Sequence, residues 1–225
     1  MEHQHSEEDL KNIAKQLSHP EGEHGIKTGE AMNINNSGMI HSAIDNLNLQ
    51  FNDYVLEIGP GNGAHLEYFL GKEKNLIYFG VDISKTMIEQ ANKLNSKFVG
   101  RGGSALFHLV DGSILPFITE QFDKIFTVNT IYFWKNPLEY LQEIKRVLKP
   151  KGTFVLCFAD KSFMEKLPFT KYGFTLYEPE ELKMLLSSAG FDVQEVIKKT
   201  EQINSNADFR VERDYYVISA SSKGG

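Results

Sequence analysis

The sequence predicts an α/β domain: a doubly wound, mostly parallel sheet whose last strand runs antiparallel. Three observations carry this expectation. Short runs between Val55 and Phe158 are almost continuously apolar, as in strands covered on both faces. Stripes at helical spacing lie between most of them. Beyond Phe191 the rhythm breaks: a polar loop without a helix joins the last two strand-like runs, and a parallel return needs a longer crossover.

In chain order, Ser6 and Asp9 resemble a capping box ahead of Leu10, Ile13, Ala14 and Leu17 on one helical face. From His19 to Asn36 the chain reads as a polar connection carrying Pro20, Gly22, Gly25 and Gly29. A second amphipathic helix follows, with Ile40, Ala43, Ile44 and Leu47 inward. The strand runs are Val55–Ile58, Leu76–Val81, Ala105–Val110, Ile125–Val128 and Phe154–Phe158. Between them, Ser84 can cap a helix whose Met87, Ile88, Ala91 and Leu94 share a face. Asn136 and Pro137 suit the start of another, with Leu138, Leu141, Ile144 and Leu148 inward until Pro150 and Gly152 stop it. Pro179 opens a helix with Leu182, Leu185, Leu186 and Ala189 inward, closed by Gly190. Phe191–Ile197 and Tyr215–Ala220 then pair as the closing hairpin.

Composition narrows the function classes. A chain of 225 residues, 41% apolar, can bury one sizeable core, so one compact unit is expected. With 24 basic against 30 acidic side chains and a charge of −6, a sequence-independent nucleic-acid binder is disfavoured, since that needs a basic stripe. Cys157 is the lone cysteine, which excludes intrachain disulfides and multi-cysteine metal sites. His3, His5, His19 and His24 do not stand at metal-ligand spacing, and no metal is expected. No apolar run approaches the roughly 20 residues that span a bilayer, and the acidic start is unlike a signal peptide. A cytoplasmic monomer or homodimer is the expectation.

The most informative segment is Val55-Leu-Glu-Ile-Gly-Pro-Gly-Asn-Gly63, from the first core strand toward a helix. Glycines at 59, 61 and 63 permit a tight turn and close approach of a ligand. Gly59, Gly61 and Ala64 also satisfy the dinucleotide pattern G-x-G-x-x-[GA], so a nicotinamide or flavin enzyme is one reading. Three acids favour another. Glu57 stands two residues before the first glycine, where a carboxylate suits an amino group better than a pyrophosphate. Asp82 ends the second strand, where it can accept both ribose hydroxyls. Asp111 ends the third, within reach of an adenine amine. Each acid also has a plainer role, Glu57 as a helix cap and the two aspartates as turn formers.

Taken with Glu57-Ile-Gly-Pro-Gly-Asn-Gly63, the runs Val81-Asp82, Val110-Asp-Gly-Ser113, Phe122-Asp-Lys-Ile125 and Leu148-Lys-Pro-Lys-Gly152 make the chain resemble the class I S-adenosylmethionine-dependent methyltransferases. The similarity is greatest to the small-molecule group called type 11, and covers roughly residues 37 to 220. It implies a Rossmann-like sheet of seven strands, the last antiparallel. It implies that the Gly59–Gly63 backbone, with Pro60, wraps the methionine part of the cofactor above Glu57. Asp82 would hold the ribose, and Ile83 and Met87 would pack nearby. Asp111, Gly112 and Ser113 would meet the adenine edge, and Asn129 would offer its carbonyl to the cofactor's amino group. Asp123 would shape the entry to the fourth strand.

The resemblance implies methyl transfer, in line from the sulfonium, to a small-molecule or lipid-like acceptor on O, N or C. Alignment and exclusion of water can supply roughly 7 to 11 kcal/mol without an obligatory acid or base, so no catalytic residue is assigned. Asn129-Thr-Ile-Tyr-Phe-Trp134 lacks the Pro-Pro-aromatic motif of enzymes acting on base amines, and no nucleic-acid substrate is expected. Cys157, inside a strand, is poorly placed as the nucleophile of a C5-methyltransferase.

Tyr132 and Trp134 are candidate acceptor contacts, as are Phe163 and Tyr172 in the aromatic stretch 160–177 with Met164, Phe169 and Phe174. Residues 1–50 are expected to form a helical lid segment, with Met32 or Asn33 facing the site, and residues 51–225 the cofactor-binding domain. Two alternatives stay open: a non-catalytic cofactor-binding or partner protein, and an NAD(P)-dependent oxidoreductase.

Overall fold

The computed structural model describes residues 6–204 and 210–222. His3 and His5 lie outside them. Three helices come first: α1 (Glu7–Ser18), α2 (Gly22–Asn35) and α3 (Ser37–Asp45). The capping box of α1 is present, Ser6 and Asp9 each accepting the other's backbone N–H, at 3.1 and 3.0 Å.

The supposed connection 19–36 is mostly helix, and this is the largest departure from the sequence reading. Glycine costs about 1 kcal/mol in a helix interior, but in α2 two of them permit close packing. A Cβ on Gly25 would lie 2.6 Å from the Pro20 carbonyl carbon, and one on Gly29 2.7 Å from the Met87 sulfur. The contacts won against Pro20 and Met87 outweigh the propensity.

The core elements follow: β1 (Tyr54–Ile58), α4 (Leu66–Leu70), β2 (Ile77–Asp82), α5 (Lys85–Leu94), β3 (Ala105–Leu109) and β4 (Phe122–Val128). After a 3-10 turn, Ile131–Phe133, come α6 (Pro137–Val147), β5 (Leu148–Ala159), α7 (Lys161–Met164), α8 (Pro179–Ser188), β6 (Phe191–Asn204) and β7 (Arg210–Ser222). Strand order is β3-β2-β1-β4-β5-β7-β6, with β7 antiparallel to both neighbours. The expected ending is therefore present, and the hairpin is longer than its apolar runs. Pro150 and Gly152 do not stop α6: the helix ends at Val147 and the chain turns straight into β5. Leu94 and Leu138 are 53% and 37% exposed rather than inward, each near a helix end where the buried stripe runs out.

Phe126, Phe154, Leu156 and Phe158 fill the sheet centre, fully buried. The hairpin projects past β5 and reaches the helices. Arg213 donates to the Asn35 carbonyl (2.6 Å), to Asn36 Oδ1 (3.0 Å) and to Glu201 Oε1 (3.0 Å), pinning the α2–α3 junction. Tyr215 OH and Lys199 Nζ both meet Ser42 Oγ on α3.

Candidate functional site

Parallel pairing sets the site's rim. Ile58 stands opposite Val81 and Asp82 opposite Leu109, so β1, β2 and β3 end side by side. Ligands of open α/β sheets bind at these carboxyl ends. A cavity of about 470 Å³ lies there, in the size range of small-ligand sites.

Its floor is the glycine turn. Gly59 and Gly61 adopt φ of +75° and +57°, the left-handed region that favours glycine. Their surroundings differ. A Cβ on Gly59 would come within 2.4 Å of Thr130 Cγ2, whereas one on Gly61 would meet no protein atom within 4 Å. Pro60 and Glu57 join these glycines on the cavity wall. Gly63 does not: it is packed against Asn95 and Phe107 and serves the turn itself.

Asp82 is nearly buried, accepting the Ser84 N–H at 2.8 Å and the Gly61 N–H at 3.2 Å. Burial pushes its carboxyl up to about 6 despite these bonds. Ile83 and Met87 line the same wall. Asp111 and Gly112 line it as well, but Ser113 does not. The Ser113 hydroxyl and amide instead donate to Asp111 Oδ1 at 2.7 and 2.9 Å, holding that exposed carboxyl below its ordinary range.

Asn129 ends β4 with φ +59°, which turns its peptide out of the strand toward the cavity it lines. Its Oδ1 accepts from Tyr132 OH at 3.1 Å and the Ala159 N–H at 3.2 Å, fixing that conformation.

The acceptor candidates divide. Met32 and Asn33 on α2 and Trp134 after the 3-10 turn line the cavity. Tyr132, Phe163 and Tyr172 do not. Tyr132 is 3% exposed and tied to Asn129 and to the backbone of Ala159, so it is a structural strut. Phe163 packs against the core, and Tyr172 stands under Lys11 of α1. Met164, Phe169 and Phe174 are likewise absent from the wall, because the chain after α7 folds onto α1 and the 3-10 turn Ile131–Phe133. Asp123 accepts the Tyr54 N–H at 2.9 Å and pairs with Lys149 at 2.7 Å, away from the cavity.

Several wall residues went unnoticed in the sequence: Pro20, Gly29, Asn36 and Ile40 from the N-terminal helical segment, and Asn62, Phe133 and Tyr140. The N-x-x-N spacing of Asn33 and Asn36, at the end of α2 and just beyond it, is the one usable signal for the first group. Cys157 is fully buried, and burial raises its thiol far above reactive range. Among the described residues no group of three His, Cys, Asp or Glu could hold a metal ion, and no helix is long and apolar enough to cross a membrane.

Comparison with known proteins agrees with this geometry. The profile of the methyltransferase domain family matches residues 56–156. YrhH of Bacillus subtilis (strain 168), a suspected methyltransferase, is 34% identical over 116 residues, 52% of this chain and 63% of that protein. A tRNA U34 carboxymethyltransferase of Hydrogenovibrio crunogenus is 35% identical over 104 residues, 45% of this chain and 31% of that protein. The chain thus spans less than two thirds of these relatives. Among solved structures, the complex between the Haloferax volcanii Trm112 methyltransferase activator and a suspected methyltransferase matches with a TM-score of 0.71 at 17% identity, covering 95% of this chain and 98% of that one.

Proposed function

We propose that this chain, whose residues 56–156 match the methyltransferase domain family, binds S-adenosylmethionine in the cavity and methylates a small acceptor there. The observation that carries the reading is the convergence on one wall of Glu57, Gly59, Gly61, Asp82, Asp111 and Asn129, three acids and a glycine turn gathered at the carboxyl ends of four neighbouring strands.

The residues present fit the cofactor. The open space beside Gly61 leaves room for the ligand's methionine part against backbone. Asp82 is positioned to accept ribose hydroxyls, and Asp111 with Gly112 to meet the adenine edge. The bound sulfonium supplies an electrophilic methyl group. The chain's part is then to align and to exclude water. Helix α2 does the second of these: Met32 and Asn33 face the cavity while Gly25 and Gly29 seat the helix against Pro20 and Met87. Residues 1–50 therefore act as a cover on a domain formed by residues 51–225, and Trp134 with Asn33 supplies the acceptor's surroundings.

A small acceptor is favoured over a polynucleotide because the cover roofs the cavity and the chain's charge is −6. An oxidoreductase is disfavoured by the antiparallel β7 inserted between β5 and β6, which the dinucleotide fold's 3-2-1-4-5-6 order lacks. Calorimetry with S-adenosylhomocysteine and with NADH tests the cofactor, and a screen of metabolites and of tRNA for transfer of labelled methyl tests the acceptor. Micromolar binding of the first ligand alone, with label in small molecules, is the expected result. NADH binding without S-adenosylhomocysteine binding overturns the cofactor reading; label found only in tRNA overturns the acceptor reading.

A further inference from the structure

Glu57 is 1% exposed at the bottom of the cavity. Its Oε2 accepts from two side chains on separate elements. His65, just before α4, donates from Nε2 at 2.6 Å, and the hydroxyl of Tyr78 on β2 makes a short hydrogen bond to the same oxygen. His65 is 6% and Tyr78 0% exposed, the Tyr78 ring held between Phe69 and Phe107 with centroids at 5.2 and 5.6 Å.

His65 Nδ1 is buried and has no hydrogen-bond partner. Burial and the neighbouring Glu57 push the Tyr78 hydroxyl well above its ordinary range, so it remains a neutral donor. Among the described residues Glu57 has no Lys or Arg partner, its only recorded ion-pair contact being His65. Asp82 lines the same cavity and brings a second carboxylate. The floor thus holds a buried carboxyl group fixed through one oxygen by His65 and Tyr78, with no Lys or Arg beside it among the described residues.

We infer that His65 and Tyr78 are positioning residues: by holding Glu57 Oε2 from two separate elements they orient its carboxyl group at the end of the cavity where the ligand's amino group would sit. The inference rests on the S-adenosylmethionine reading and specifies which part of that ligand the chain discriminates.

The test compares two ligands that share the nucleoside and thioether but not the amino-acid part, S-adenosylhomocysteine and 5′-methylthioadenosine. Their affinities are measured by calorimetry for the parent, His65→Leu, His65→Gln and Tyr78→Phe, with each variant's thermal midpoint taken alongside. His65→Leu and Tyr78→Phe should weaken S-adenosylhomocysteine on the order of tenfold, the effect of losing a hydrogen bond to a charged group, and leave 5′-methylthioadenosine unchanged. His65→Gln, which keeps an N–H donor, should restore most of the loss. Equal weakening of both ligands, or unchanged S-adenosylhomocysteine binding, would overturn the inference. If His65→Leu does not fold, Tyr78→Phe carries the test, since it removes a single oxygen. A parent that binds neither ligand removes the cofactor reading itself, a result distinct from a parent that binds both and variants that fail to discriminate.

Discussion

Asp82 gives the sharpest handle on the site, because protonation should weaken ligand binding while strengthening the free fold. Its carboxyl titrates at about 6 against an ordinary 3.8, and burial is the leading cause. Above about pH 6 the protein holds a buried charge that the unfolded chain would carry in water. As pH falls from about 6 toward 3.8 the folded state takes up the proton first, so this burial penalty is relieved. At 1.36 kcal/mol per pH unit, the gap amounts to about 3 kcal/mol. A ribose needs the ionised form as its acceptor. If S-adenosylhomocysteine binds only that form, affinity falls up to about tenfold per pH unit below about 6. Calorimetry at pH 5, 6 and 7 measures this, with Asp82→Asn as the control that should be weak and flat. The reasoning fails if the parent's affinity is constant from pH 7 to 5, or if Asp82→Asn keeps the parent's slope.

Further expectations concern the turn, the hairpin and the cover. Gly61→Val should cost the free protein only about 1 to 2 kcal/mol of backbone strain yet abolish S-adenosylhomocysteine binding, because its side chain enters open cavity; Gly59→Ala should chiefly lower the thermal midpoint, because it strikes Thr130. Calorimetry beside thermal melts separates the two, and equal effects in both assays would count against the cavity's placement. Arg213→Leu should destabilise by about 3 kcal/mol, since it leaves Glu201 without its buried partner and the Asn35 carbonyl without a donor; denaturant melts check it. Tryptic cleavage at exposed Lys27 on α2 should slow when S-adenosylhomocysteine is bound. Equal cleavage with and without ligand would leave α2 a fixed wall rather than a cover.

The strand ends and their acids were legible because they depend on local pattern: an apolar run, then Glu57 and glycine, or Asp82, or Asp111. The antiparallel ending was legible from a missing helix. Helix α2 was not, because its glycines argue against helix locally and are repaid only by contacts with Pro20 and Met87, the latter 58 residues away from Gly29. Tyr132, Phe163 and Tyr172 were misplaced for a related reason. An aromatic after a strand points into the core or the cavity according to backbone angles such as the +59° of Asn129, which sequence spacing does not encode. His65 gave no signal at all, since its partner Glu57 looks complete without it.

The interleaving of β7 between β5 and β6 bears on how the chain matures during synthesis. Strand β6 pairs with β7 alone, and β7 is made after it. On the ribosome, β1 to β5 with the glycine turn can close into a sheet while β6 still lacks its neighbour and leaves backbone donors and acceptors open. The Arg213 contacts to Asn35 and Asn36, formed across 178 and 177 residues, are among the last to become possible. The cavity floor can therefore form early, while the contacts that pin the α2–α3 junction to the hairpin come late. Any ligand that binds the finished chain alone favours completion of these slow, non-local contacts.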